Sequence, residues 1–143
     1  MNCPYQIEFP KFQTILVVTD LSFILMGEEW SMIKNGFLTE KEKMMVERFS
    51  SMLKSALGKN LILVKLIGSK VKGDFGSESD IDILIIVKDY LSDKEKVIDI
   101  LYNIDPYFEV KISPVIYSEF EYEKNKELES PFIIKAEKDG VNL

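Results

Sequence analysis

The strongest constraint on this chain is the stretch from Leu61 to Val87: an apolar run, LILVKLI, a turn, GSKVKGDFGSES, and a second run, DIDILIIV. Short apolar runs of this kind, bounded by Gly and Ser, predict a strand, a backbone-rich turn and a second strand beside the first. Side chains two apart on a strand share a face, so Asp80 and Asp82 are expected to point together, with Leu84 and Ile86 following them. Two adjacent carboxylates repel unless a cation or a metal-bound phosphate lies between them. Just upstream, Gly68 and Ser69 close the first run in a turn whose N–H groups and hydroxyl suit an anion, and Lys70 and Lys72 add positive charge.

Competing phosphate motifs fail on residue type. From Gly68 to Gly73 the spacing imitates the start of a P-loop, but Asp74 and Phe75 stand where Lys and Ser/Thr are needed, and no G-x-G-x-x-G follows a strand. Histidine is absent, which removes Ser-His-Asp and Cys-His nucleophilic schemes and leaves carboxylates, lysines and tyrosines for acid-base work. A single cysteine, Cys3, makes neither an internal disulfide nor a zinc site, so a reducing, cytoplasmic setting is expected. A net charge of −6 argues against a surface that coats nucleic acid, and no stable nucleic-acid partner is expected. The apolar run FQTILVVTDLSFILM is interrupted by Thr19, Asp20 and Ser22 and lacks a basic leader, so neither a membrane span nor a signal peptide is expected.

At 143 residues, 46% hydrophobic and 29% charged, the chain suits one globular domain. Residues 1–38 read as an N-terminal extension whose order the sequence leaves open. They are either a product of an upstream start codon, with Met26 or Met32 as the true beginning, or a segment that packs on a partner. The domain proper is placed at 39–143. Thr39 with Glu42 predicts a capping box, and Met45, Phe49, Met52, Leu53, Ala56 and Leu57 recur at helical spacing until Gly58. The spacing predicts strands over Leu61 to Ile67 and Asp80 to Val87 as antiparallel neighbours. Ser92 with Glu95 predicts a second capped helix ending near Asn103 and Pro106. A third strand is expected from Tyr107 to Tyr117, with Phe108, Val110 and Ile112 on a buried face and Glu109, Lys111 and Ser113 on a polar one. Ser118 with Glu121 predicts a helix to about Glu129, and Ser130 caps a last helix with Pro131 at its first position, ending near Gly140.

A Gly-Ser pair, ten residues, then Asp-x-Asp on a strand, with Gly73 between and Ser79 just before the acids, resembles the signature of the nucleotidyltransferase superfold that includes DNA polymerase beta. It is most similar to the small prokaryotic minimal nucleotidyltransferases. The resemblance implies an α+β, polymerase beta-like fold, a small mixed or antiparallel sheet flanked by helices. It implies ATP as substrate, Mg2+, as two ions, held by Asp80, Asp82 and a third carboxylate, and pyrophosphate as leaving group. Glu109 is the candidate third carboxylate, as ligand and as base for the acceptor hydroxyl; the usual residue there is Asp, and Lys111 occupies the next position on the same face. Gly68, Ser69, Lys72 and Ser79 are the candidate nucleotide contacts. Relatives of this size are commonly encoded beside helical HEPN proteins, and several act as antitoxins that move AMP onto a tyrosine of the HEPN toxin. Protein adenylylation of a HEPN partner is therefore the leading expectation. Transfer to a small hydroxylated molecule and neutralisation by contact alone, with a decayed site, remain open beside it.

Overall fold

The computed structural model describes residues 37–73 and 79–143. Helix α1, Glu40–Leu57, begins at the expected capping box: Thr39 Oγ1 accepts from the Glu42 amide and Glu42 Oε2 accepts from the Thr39 amide. It ends at Gly58, whose φ of 51° is the left-handed conformation that glycine adopts without a Cβ penalty. Strand β1, Leu61–Ile67, and strand β2, Ile81–Val87, pair antiparallel, as expected. Between them lies a single-turn helix, α2, Ser69–Lys72. Helix α3, Tyr90–Ile104, carries the chain over to β3, Ile112–Ser118, which lies parallel to β2. A parallel neighbour needs such a crossover. Helices α4, Glu119–Glu127, and α5, Pro131–Asp139, then lead into a two-residue strand, β4, Val141–Asn142, that sequence patterning had not suggested.

The sheet has the order β3-β2-β1-β4, with β2 inside it and β3, which carries Pro114, at one edge. Helices cover both faces, so β2 is buried on both, and every residue of it except Asp82 is buried. On one face Ile81, Ile83, Ile85 and Val87 join a core with Val46, Phe49 and Leu53 of α1 and Val97, Leu101 and Ile104 of α3. Leu38 is buried in the same core. On the other face Leu84, Ile86 and Ile67 pack with Tyr122 of α4 and Ile133 and Ala136 of α5. Tyr122 donates its hydroxyl to Glu137 Oε1 at 2.7 Å, which ties α4 to α5.

Two expectations require correction. The cap of α3 is Asp89, whose carboxylate accepts from the Ser92 amide, so the helix starts two residues before Ser92, which lies in its first turn. The third strand begins at Ile112 rather than Tyr107. The reason is Asp105, a buried residue whose two carboxylate oxygens accept from the Glu109 and Val110 amides, each at 2.9 Å. Those bonds give the backbone of 106–110 local partners and hold it as a loop, although its side chains alternate as a strand's would. Glu109 therefore does not stand on the polar face of β3. The reading of residues 1–38 lies outside the described residues, save for Phe37 and Leu38.

Candidate active site

Asp80 precedes β2 and is exposed; Asp82, the one β2 residue short of full burial, lies on the face that carries Leu84 and Ile86. Strand register fixes what flanks it. Asp82 pairs with Ile67, the last residue of β1, on one side and with Ser113 of β3 on the other. The chain just before it is pinned where the Ile81 amide donates to the Lys111 carbonyl at 2.8 Å. Burial, and then the charge of Asp80, push the Asp82 carboxyl above the usual aspartate range. The charge of Asp80 thus reaches Asp82, a repulsion that a bound cation would relieve.

Gly68 turns the chain out of β1 with φ 82° and ψ −158°, and a Cβ there would stand 2.5 Å from Asp82 Oδ2. The turn and the carboxylate are in close approach, and only glycine leaves room for it. Ser69 follows at the first position of α2, half-buried. Together Gly68 and Asp82 open onto a cavity of about 230 Å³ whose other walls include Val115 and, from α5, Phe132, Lys135 and Asp139.

Lys70 does not add its charge to that cavity. It is buried, and its Nζ donates to Glu42 Oε1 at 3.1 Å, so the residue after the Gly-Ser turn is tied to the cap of α1. The backbone of Lys72 closes α2; its side chain lies outside the described part of the molecule. Ser79 and Glu109 meet elsewhere, in a depression shared with Thr39, Lys41, Val110 and Lys111. There Glu109 forms an ion pair with Lys41. Among the described residues no three acidic or cysteine side chains gather as a metal-binding group: the charge of Asp80 reaches Asp82, whereas Glu109 lies in the separate depression.

Several residues of the site had no signal in the sequence. Ser113 enters only through strand register, Phe132, Lys135 and Asp139 only because α5 folds back over the sheet, and Glu42 only through its reach to Lys70.

Residues 45–140 match the family model of the nucleotidyltransferase domain. The chain belongs to that family. It is also 33% identical over 100 residues, 68% of this chain and 94% of the relative, to a candidate protein adenylyltransferase of Methanocaldococcus jannaschii. A crystal structure of a candidate nucleotidyltransferase from Sulfolobus solfataricus shares 22% identity, covers 68% of this chain and 84% of its own, and superposes with a TM-score of 0.36. The protein is thus a minimal nucleotidyltransferase, and its class of reaction is transfer of a nucleotidyl group from a nucleoside triphosphate. Its α+β architecture is the one the Gly-Ser and Asp-x-Asp spacing led us to expect. No helix among the described residues of this nucleotidyltransferase is long and apolar enough to cross a membrane.

Proposed function

We propose that this nucleotidyltransferase transfers AMP from ATP to a tyrosine hydroxyl of a partner protein of the HEPN type, as the antitoxin of a toxin–antitoxin pair in the cytoplasm. The observation that carries the reading is the packing of Gly68 against Asp82 beside Asp80. In-line transfer needs a triphosphate held next to its charge-neutralising cation, and a Gly-Ser turn lying against the Asp82 carboxylate is consistent with that pairing. The relative at 33% identity, named as a candidate protein adenylyltransferase, supports a protein as acceptor.

Each residue has a task. The Gly68 turn and the Ser69 hydroxyl hold the β and γ phosphates, with Lys72 and Ser79 as candidate contacts at the edge. Asp80 and Asp82 hold divalent metal. The donor set fits Mg2+, which takes one or two carboxylates and completes its shell with phosphate and water. When bound, the metal neutralises phosphate charge as pyrophosphate leaves. Two carboxylates suffice for one ion, and Glu109 stays at the rim, where it pairs with Lys41. Lys70 positions the turn through Glu42 and does not touch the nucleotide.

One observation favours a second reading, neutralisation by contact: Ser113, not an acid, faces Asp82 on β3. The discriminating experiment is intact-mass spectrometry of the protein mixed with the protein encoded beside it, ATP and Mg2+. A gain of one or more AMP units on the neighbour, lost when Asp80 and Asp82 are both changed to Asn, supports transfer. An unmodified neighbour that binds wild type and variant equally well supports contact alone.

A further inference from the structure

The acid pair borders two cavities, not one. Besides the cavity at Gly68 and Asp82, a cleft of about 430 Å³ opens at Asp80 between α3 and the start of β3. Its walls include Ile98 and Tyr102 of α3, Phe108 and Lys111, and Ile112, Ser113 and Pro114 of β3. Ile98, Tyr102 and Phe108 are 45%, 59% and 58% exposed, so they face solvent rather than complete the core.

Phe108 is the informative wall. Its φ of 52° is a conformation that bulky residues rarely adopt and that persists only where surrounding structure enforces it. The enforcing group is Asp105, whose buried carboxylate grips the next two amides. The loop is strained at the residue whose ring it presents to water. An aromatic ring held in water at a backbone conformation that costs energy marks a candidate binding wall.

We propose that this cleft seats the acceptor: a polypeptide segment of a partner protein in which a tyrosine lies between apolar side chains, its hydroxyl delivered beside Asp80. The inference rests on the transfer reading above. The occupant follows from what the two cavities contain. The Gly-Ser turn, assigned above to the triphosphate, opens on the cavity with Asp82, which leaves the nucleotide to that side. The cleft holds the other carboxylate, so its occupant brings the second reacting atom. Apart from Lys111 and Ser113 its remaining walls are aliphatic and aromatic, which suits apolar side chains on either side of the reacting hydroxyl. Lys111 is its one cationic wall among the described residues, beside the anionic Asp80, and the chain's net charge of −6 disfavours an anionic acceptor. In the reaction the phenolic oxygen bonds to the α-phosphorus as the bond from that phosphorus to the bridging oxygen breaks. Pyrophosphate leaves with the electron pair, and the phenolic proton passes to solvent beside Asp80.

The test uses the full chain, labelled at isoleucine methyl groups for NMR, with a synthetic peptide carrying one tyrosine between leucine and valine. Its phenylalanine counterpart serves as a non-acceptor. Either peptide should shift the Ile98 and Ile112 methyl signals. Phe108→Gly removes the ring and suits the backbone, so the variant should stay folded and bind the peptides at least about tenfold more weakly. Its affinity for ATP, measured alongside, checks that the phosphate side of the site is intact. Shifts confined to Ile133 and Ile134, no binding, or equal binding by Phe108→Gly would each overturn the cleft assignment. Mass spectrometry of the tyrosine peptide after addition of ATP and Mg2+ reads the underlying reaction separately. Binding at Ile98 and Ile112 with no AMP gained would sink the transfer reading and leave the cleft as a peptide site.

Discussion

Gly68 and Asp82 are in such close approach that a single added methyl at residue 68 would come within 2.5 Å of the Asp82 carboxylate. Gly68→Ala therefore carries two penalties. The φ of 82° with ψ of −158° belongs to a region essentially reserved for glycine and costs a residue with a Cβ on the order of 1–3 kcal/mol, and the methyl displaces the carboxylate. Denaturant titration should show that loss of stability. Nucleotidyl transfer should fall by at least about a hundredfold, because misplacing a reacting group by an ångström costs that much.

Asp82 sits in the fold with a carboxyl raised above its ordinary range, by burial first and by Asp80 second. Between the ordinary aspartate value and the raised one, the folded state holds a proton that the unfolded state has released. Stability from this group therefore falls as pH rises through that window, and the penalty is complete above it. Asp82→Asn removes the penalty. Its melting temperature at neutral pH should exceed that of wild type although transfer is abolished, and added Mg2+ should raise the melting temperature of wild type alone. A melting temperature for Asp82→Asn below that of wild type would contradict this account of the pair.

Lys70 and Glu42 make a pair of the opposite kind. Burial alone would raise the Glu42 carboxyl, but the Thr39 amide, the hydrogen bond and charge of Lys70, and the Thr39 hydroxyl together bring it below the ordinary glutamate range. Its contribution is present at neutral pH and is lost as pH falls through the lowered value. Lys70→Met leaves that carboxylate without its ammonium. The side chains are 4% and 18% exposed, so the loss should be about 2–3 kcal/mol, somewhat less than for a fully buried pair. ATP affinity should fall only slightly, since Lys70 braces the turn from behind. A loss of binding as large as that for Asp80→Asn would place its charge on the phosphates instead.

Glu109 and Ser113 test the acid count. Glu109→Gln should leave transfer within about threefold of wild type and stability within about 0.5 kcal/mol, because its partner Lys41 is an exposed one. Ser113→Asp puts an acid opposite Asp82. It should tighten Mn2+ or Mg2+ binding, measured by calorimetry. If Glu109→Gln instead abolishes transfer, the two-carboxylate assignment fails.

Much of this was legible before any fold was known. The Leu61–Ile67 run, its antiparallel partner and two capping boxes depend on neighbours within a few residues, and their sequence patterns matched the structure. What failed was the segment from Tyr107 to Lys111, where alternating side chains imitate a strand. There a single buried carboxylate, Asp105, outcompetes the sheet for two amides. That error carried Glu109 onto a strand it does not occupy. The parallel neighbour of Asp82, the α5 residues across from it and the turning-in of Lys70 were not legible, because each depends on contacts made far along the chain.

Pro114 sits in β3, the edge strand of the sheet among the described residues, and in the wall of the cleft beside Asp80. Proline offers no amide hydrogen, and at an edge strand it interrupts the row of donors that an incoming strand would use. Partners at this side are thereby denied the least selective form of attachment, backbone pairing, which takes almost any extended segment. On the proposed docking, an acceptor is read instead by side chains fitting the cleft. If the acceptor is a partner protein, as proposed above, that restriction matters, since a bare sheet edge beside the acids would expose every passing unfolded chain to modification.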